Sequence, residues 1–420
     1  MSLVQEHQTW HNWAGNLSCA PTRLIQPENE VDVVDALKLA NRQNLPVRVL
    51  GAGHSFSPLC VTDGVLITPA RMTGVTATDA TTRRAVVLPG TRIRDLGDPL
   101  WAAGLCLNNQ GDIDTQQIVG AISTATHGSG KKLKSFAGAP VRFRVVLPSG
   151  EPIEITDADK DLMGAMRVSL GLLGVITEVE LQVRDTFGLA ERLEFWTLDE
   201  VLGSWDENFE QLRHFSFFYH PHSESPDRLF MPHPEGRSAE DMSMVKRYYE
   251  HPADDLDKAD AIVREAGYQR FDRPYRIYPD PDFQGDIVMR ELEYMIPFER
   301  GRDAFLALRR LIREDFPENR FPIEVRSIAA DDAWLSGFSD QDSISISICG
   351  HEQLDYRRFL AAVSDVLDPF AGRPHWGKIF YQDRERMREL FPRFDDFVRM
   401  RRELDPTNMF LSPELAPLFA

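Results

Sequence analysis

Residues 46–58, "PVRVLGAGHSFSP", carry an apolar strand into a Gly-Ala-Gly turn and place a histidine, His54, directly behind it. Upstream, "VDVVDALKLANRQNL" at residues 31–45 spaces its apolar residues at helical intervals, so the segment reads as helix, turn at Pro46, strand and glycine loop. That order invites the dinucleotide fingerprint Gly-x-Gly-x-x-Gly. Gly51 and Gly53 fill its first two places, but Phe56 stands at the third, where glycine is needed for close helix packing. A Rossmann site is disfavoured, and the loop calls for another explanation.

A second glycine-rich loop, "GAISTATHGSGKK" at residues 120–132, fails a similar test. Its end resembles a phosphate-binding loop, yet Ala125 replaces the first glycine and Lys132 the Ser or Thr that would hold magnesium. Both loops bare successive backbone N–H groups, and their small side chains admit a flat ligand closely. On residue types alone they read equally as a cradle for a pyrophosphate-bearing cofactor or as two tight turns. His54, by itself, reads as an ordinary hydrogen-bonded loop histidine.

The chain has 420 residues, more than one core usually organises, which favours two domains. Its 47 basic and 65 acidic residues leave a formal charge of -18, a field that repels nucleic acid and anionic membranes. No apolar run approaches the roughly 20 residues that span a bilayer, and "MSLVQEHQTWHNWAGN" lacks a signal-peptide layout, so a cytoplasmic location is expected. Cys19, Cys60, Cys106 and Cys349 lie far apart and read as small buried hydrophobes. His220 and His222 in "YHPHSES" share a strand face but lack a third ligand, so no metal is expected.

Apolar strands with Pro-Gly and Pro-Ser-Gly turns continue to "SLGLLGVITEVELQV", residues 169–183, where a helix end, a glycine connection and an alternating strand close a first α+β unit. Beyond it "RHFSFFYHPHSES" and "FPIEVRSIAA" read as strands and "RDAFLALRRLIREDF" as an amphipathic helix. The expected boundaries are 1–185, 186–388 and a segment 389–420 that returns to the first unit. In "PIEVRS", alternation turns Glu324 and Arg326 to one face, where they read in isolation as a plain ion pair.

Taken together, "PVRVLGAGHSFSPLCVTDGVLI", "NQGDIDTQQIVGAISTATHGSG", "SLGLLGVITEVEL", "FPIEVRSIAADDAWLS" and "RPHWGK" resemble, in order and spacing, one known family. It is the sugar-1,4-lactone oxidases and dehydrogenases of the vanillyl-alcohol-oxidase type flavoproteins, which include gulonolactone and arabinonolactone oxidases, with alditol oxidase close by. The resemblance covers nearly the whole chain from about Trp10 and is weakest between roughly 190 and 285. It implies a two-domain α+β chain, a PCMH-type FAD-binding fold with an α+β cap domain.

The resemblance further implies that FAD is bonded covalently to His54, a link that makes a flavin more oxidising. Leu50, Gly51, Ala52, Gly53 and Ser55 would surround its pyrophosphate. Ala121, Ser123, Thr126, His127, Gly128 and Ser129 would line the second loop, and Val175 and Ile176 would touch the adenosine side. Glu324 would orient or deprotonate a substrate hydroxyl, Arg326 would stabilise the alkoxide or reduced flavin, and Lys378 would favour the anionic reduced flavin. The implied reaction oxidises the hydroxyl beside the carbonyl of an aldono-1,4-lactone, with electrons passing to oxygen or a soluble acceptor. An alditol or carbohydrate oxidase, or a flavin-carrying binding protein without turnover, are the rival readings. One departure stands out: "SISISIC" puts Ser345, Ser347 and Cys349 where many relatives have a histidine, and His351 falls beyond Gly350, in an expected turn.

Overall fold

The computed structural model describes residues 3–6, 8–279, 289–351 and 354–420. Its N-terminal helix, Glu30–Gln43, starts at Asn29, whose side chain accepts the Asp32 N–H, and stops at Asn44 in the left-handed conformation (φ 52°). The buried stripe Val33, Ala36, Leu37 and Ala40 packs on Val47, Val65 and Ile67. Strand Val47–Val49 runs parallel to Val65–Ile67, which runs parallel to Arg23–Gln26. Next in the chain comes an antiparallel sheet ordered Pro152–Thr156, Pro140–Val146, Val175–Gln182, Arg84–Val87 and Val75–Asp79.

Residues 187–374 build the large sheet. Among the described residues it has eight antiparallel strands, with His214–His220, Ile323–Ile328, Ser343–His351 and Met289–Pro297 adjacent in that order. The alternation in "SISISIC" is a strand period: Ile344, Ile346 and Ile348 pack in the core with Phe305, Leu308, Phe359 and Leu360 of helices Phe298–Asp315 and Tyr356–Leu367. The serines face the other way. The strand also runs past Gly350, and His351 pairs with Met289 instead of turning. That corrects the expected turn; cross-strand pairing overrides the breaking tendency of one glycine.

The end of strand Ile323–Ile328 passes into the N-terminal core. Gly130 N–H donates to Ser327 O (2.6 Å) and Ala329 N–H to Leu133 O (3.0 Å). Ala333, Trp334 and Leu335 are then buried with Phe143, Val145 and Met166. Asp331, fully enclosed, accepts from Ser135 Oγ (3.1 Å), Ser336 Oγ (2.7 Å) and the Ala333 N–H (3.1 Å). Helices Arg384–Leu390 and Phe394–Leu404 lay Met387, Leu390, Phe394 and Phe397 on the same core. Among the described residues no helix is long and apolar enough to cross a membrane.

Candidate active site

The glycine loop is held from below by a buried arginine. Arg48, between two valines on its strand, donates to Leu59 O (2.6 Å), Leu170 O (2.5 Å), Gly171 O (3.0 Å) and Phe410 O (2.6 Å). Four carbonyls from three distant segments thus fix where the strand ends. Gly53 then adopts φ +74°, and a Cβ there would meet the Trp10 ring at 3.2 Å, so two constraints require glycine. Trp13 stacks on His54, ring centroids 5.5 Å apart.

Above this loop lies an open cavity whose empty space, solvent at its mouth included, is about 970 Å³, lined by Leu50, Gly51, Ala52, Gly53, His54 and Ser55 from the first loop. Ala121, Ser123 and Thr126 line it from the second, and Gly171, Gly174 and Ile176 close its far wall. Although the chain is strongly acidic, no carboxylate lines this cavity among the described residues, and Arg48 is its single guanidinium. Gln116 Oε1, Gln117 Oε1 and Ser169 Oγ are buried without hydrogen-bond partners among the described residues, all on residues of its wall. A hollow lined by two glycine loops, one cation and three orphaned polar atoms fits FAD: the guanidinium and backbone N–H groups suit its pyrophosphate, and the two glutamine oxygens can accept from its hydroxyl or ring N–H groups.

A second cavity, about 690 Å³, shares His54, Ser55, Gln116, Thr124 and Thr126 with the first, so the two adjoin at His54. Its walls are as charged as those of the first are neutral. Glu324 and Arg326 face it from one strand, with Arg326 Nε 3.4 Å from Glu324 Oε1. Arg326 also donates to Glu293 Oε1 (2.8 Å) and to Asp112 Oδ2. Ser345 Oγ donates to the same Glu293 oxygen, and His127 Nε2 lies 3.0 Å from it. Lys378 pairs with Glu291, which accepts from Ser347 Oγ (2.7 Å). The serines of "SISISIC" therefore hold the two glutamates of the neighbouring strand.

These surroundings set the charges. Burial pushes the Glu324 carboxyl up to about 8; Arg326 opposes this, and Asp112, Glu293 and Glu291 add to it. Burial also works against ionised Glu293, but the charges of His127 and Arg326 overcome it and hold that carboxyl well below its usual range. Lys378 is raised, with Glu291 and Glu293 outweighing burial, so it stays charged. His375 is driven down to about 3 by burial, and its Nδ1 accepts the Gly377 N–H (2.9 Å), which leaves Nε2 as the protonated nitrogen. His54 falls to about 4, through burial first and then the charges of Lys378 and Arg92, and is neutral.

The expected site residues divide in three. His54, Glu324, Arg326, Lys378 and His127 line the charged cavity, and the first-loop residues line the neutral one. Gly128, Ser129 and Val175 line neither. A Cβ at Gly128 would sit 1.8 Å from Gln110 O, so this glycine serves close chain packing. Ser129 accepts from Tyr278 Oη (2.9 Å) and faces His214, and Val175 is buried with the N-terminal helix. Sequence reading missed Asp112, Glu291, Glu293 and the part played by Ser345 and Ser347. Glu291 and Glu293 repeat the two-residue spacing of Glu324 and Arg326, a signal the eye can find only once the two strands are known to share a sheet.

His127, Glu293 and His375 bring potential metal ligands within 4.8 Å of one another. Arg326 and Ser345 already donate to the Glu293 oxygen a metal would need, so the group reads as a hydrogen-bonded network. His220 is buried and pushed down to about 3 by burial, and its neutral ring, packed near Phe195, has no hydrogen-bond partner among the described residues.

Residues 21–156 match the FAD binding domain family, and residues 274–417 match D-arabinono-1,4-lactone oxidase. The chain is 34% identical over 421 residues to L-gulono-1,4-lactone dehydrogenase of Mycobacterium tuberculosis, covering 96% of this chain and 97% of that one. It is 29% identical over 440 residues to L-gulonolactone oxidase of Mus musculus, covering 98% of each. A solved structure, a solvent-stable cholesterol oxidase, superposes with a TM-score of 0.80 over 100% of this chain and 98% of that one; at 15% identity this speaks to fold alone. The chain belongs to the sugar-lactone oxidase and dehydrogenase family and has its two-part FAD-binding fold of the vanillyl-alcohol-oxidase type.

Proposed function

We propose that the protein oxidises the hydroxyl beside the carbonyl of an aldono-1,4-lactone, using FAD tethered to His54 and returning electrons to oxygen or a soluble acceptor. One observation carries this reading: His54, Glu324, Arg326 and Lys378, from three separate stretches of chain, line one charged hollow that adjoins an anion-compatible one. In this reading residues 1–185 with 389–420 form the FAD-binding unit and 186–388 the substrate unit. Four unpaired cysteines suit a reducing, cytoplasmic setting.

FAD, when bound, supplies the acceptor for the carbon-bound hydrogen. Glu324 takes the hydroxyl proton, a task suited to a carboxyl raised toward neutral pH. Arg326, locked by Asp112 and Glu293, presents fixed positive charge to the developing alkoxide. Lys378, paired with Glu291, adds a second charge to the same cavity, and His375 offers its Nε2–H to a ring oxygen or carbonyl of the sugar.

Two measurements test the proposal. Acid-precipitated protein should keep a flavin absorbance spectrum, and His54→Ala should release all flavin to the supernatant; bound flavin in that variant's pellet would refute the tether. Mixed without air, gulono-, galactono- or arabinonolactone should bleach the flavin faster than alditols or aldoses. Faster bleaching by xylitol or sorbitol would transfer the assignment to an alditol oxidase, and bleaching by none of the panel would leave a binding protein.

A further inference from the structure

His54 makes one hydrogen bond among the described residues: its Nε2 lies 2.8 Å from the Thr115 hydroxyl. Thr115 precedes the short helix Ile118–Ser123 and lines neither cavity, whereas His54 lines both. The hydroxyl therefore grips the imidazole from behind. The other nitrogen, Nδ1, has no protein partner among the described residues, and Trp13 stacked on the ring restricts its rotation.

A threonine hydroxyl can accept from an imidazole N–H or donate to its lone pair; where it accepts, that nitrogen carries the one proton of the neutral ring and the other keeps its lone pair. We propose that Thr115 is the positioning residue for cofactor attachment: by accepting from Nε2–H it leaves the lone pair on Nδ1, aimed at the cavity, as the nucleophile. This rests on the reading that FAD is tethered through His54. Attachment forms one bond, from Nδ1 to the carbon of the methyl group on the flavin's benzenoid edge, and breaks one methyl C–H bond. The hydrogen leaves as a proton and its electron pair reduces the flavin. Alkylation makes the ring cationic, and the Nε2 proton then departs along the Thr115 hydroxyl to solvent. Molecular oxygen, or another two-electron acceptor, returns the flavin to its oxidised form. The low proton affinity of buried His54 is consistent with a free nucleophile near neutral pH.

The test follows attachment itself, apart from turnover. Protein produced under riboflavin limitation is mixed with FAD in air, and tethered flavin is followed by in-gel fluorescence after denaturation and by intact mass. Thr115→Val and Thr115→Ala should tether about tenfold more slowly, the effect of losing one orienting hydrogen bond, while still binding FAD non-covalently. Thr115→Ser should restore the wild-type rate, which a merely structural role for the residue would not demand. Wild-type rates in both hydroxyl-free variants would overturn the proposal and leave the His54 tether standing. Absence of tethered flavin in the wild type would overturn both. If Thr115→Val fails to fold, Thr115→Ala and Thr115→Ser still decide the matter.

Discussion

In the proposed reaction, proton transfer turns on Glu324. A carboxyl raised to about 8 is largely protonated at pH 7, and the base form appears only as pH climbs through that value. The rate of flavin reduction by substrate, measured by stopped flow without air, should rise about tenfold per pH unit below 8 and level off above it. Glu324→Gln should abolish that rise and lower the rate by roughly 10²- to 10⁴-fold. The spacing of Glu324 and Arg326 was legible because strand alternation is local. Their setting was not: Asp112 arrives from a loop 214 positions away, and Glu293 from a strand that joins through register. The "SISISIC" departure, read from sequence as a lost histidine, becomes in three dimensions a pair of hydroxyls that hold Glu291 and Glu293.

The strand Val47–Val49 shows what an element can hide. Its pattern, valine, arginine, valine, suggests one face toward water, and nothing local says that Arg48 is buried. The side chain instead serves as a four-way hydrogen-bond donor, and burial lowers it only to about 10, so it remains cationic. Arg48→Met would leave these carbonyls unpaired in a dry environment. At about 1–3 kcal/mol for each buried unpaired group, the variant should lose at least about 4 kcal/mol, read as a lower urea midpoint. The glycine loop that follows was legible, since Gly51 and Gly53 announce a turn whatever surrounds them. The second loop was legible only in part: Ala121, Ser123 and Thr126 reach the cavity, whereas Gly128 and Ser129 answer to neighbours that no local pattern discloses.

Across the whole molecule, the two large groups of strands meet where the Ile323–Ile328 strand runs into the N-terminal core, and Asp331 is sealed at that junction. Burial raises its carboxyl to about 6 from an ordinary 3.8, against the hydrogen bonds from Ser336, Ala333 and Ser135 that lower it. A carboxyl raised on folding keeps its proton longer in the folded state, so the contribution of Asp331 to stability is fully present below 3.8 and is lost as pH rises through 6. Asp331→Asn removes the titration. Its melting temperature should equal wild type near pH 4 and exceed it above pH 6, by the equivalent of about 3 kcal/mol; a gap that does not change with pH would contradict this assignment. Family membership and the order of elements were readable from five linked stretches, while this junction, made of contacts between distant segments, was not.

The buried arginine also sets a clock. Its partner at Phe410 lies 362 residues further along the chain, and the backbone of Val47 pairs with Met409 beside it. With the ribosome adding roughly 5–20 residues per second, Arg48 waits on the order of half a minute for that carbonyl. The floor of the neutral cavity is therefore finished only after both large sheets have been made, and in the proposed reading flavin can find its complete site only once the chain has been made past Phe410.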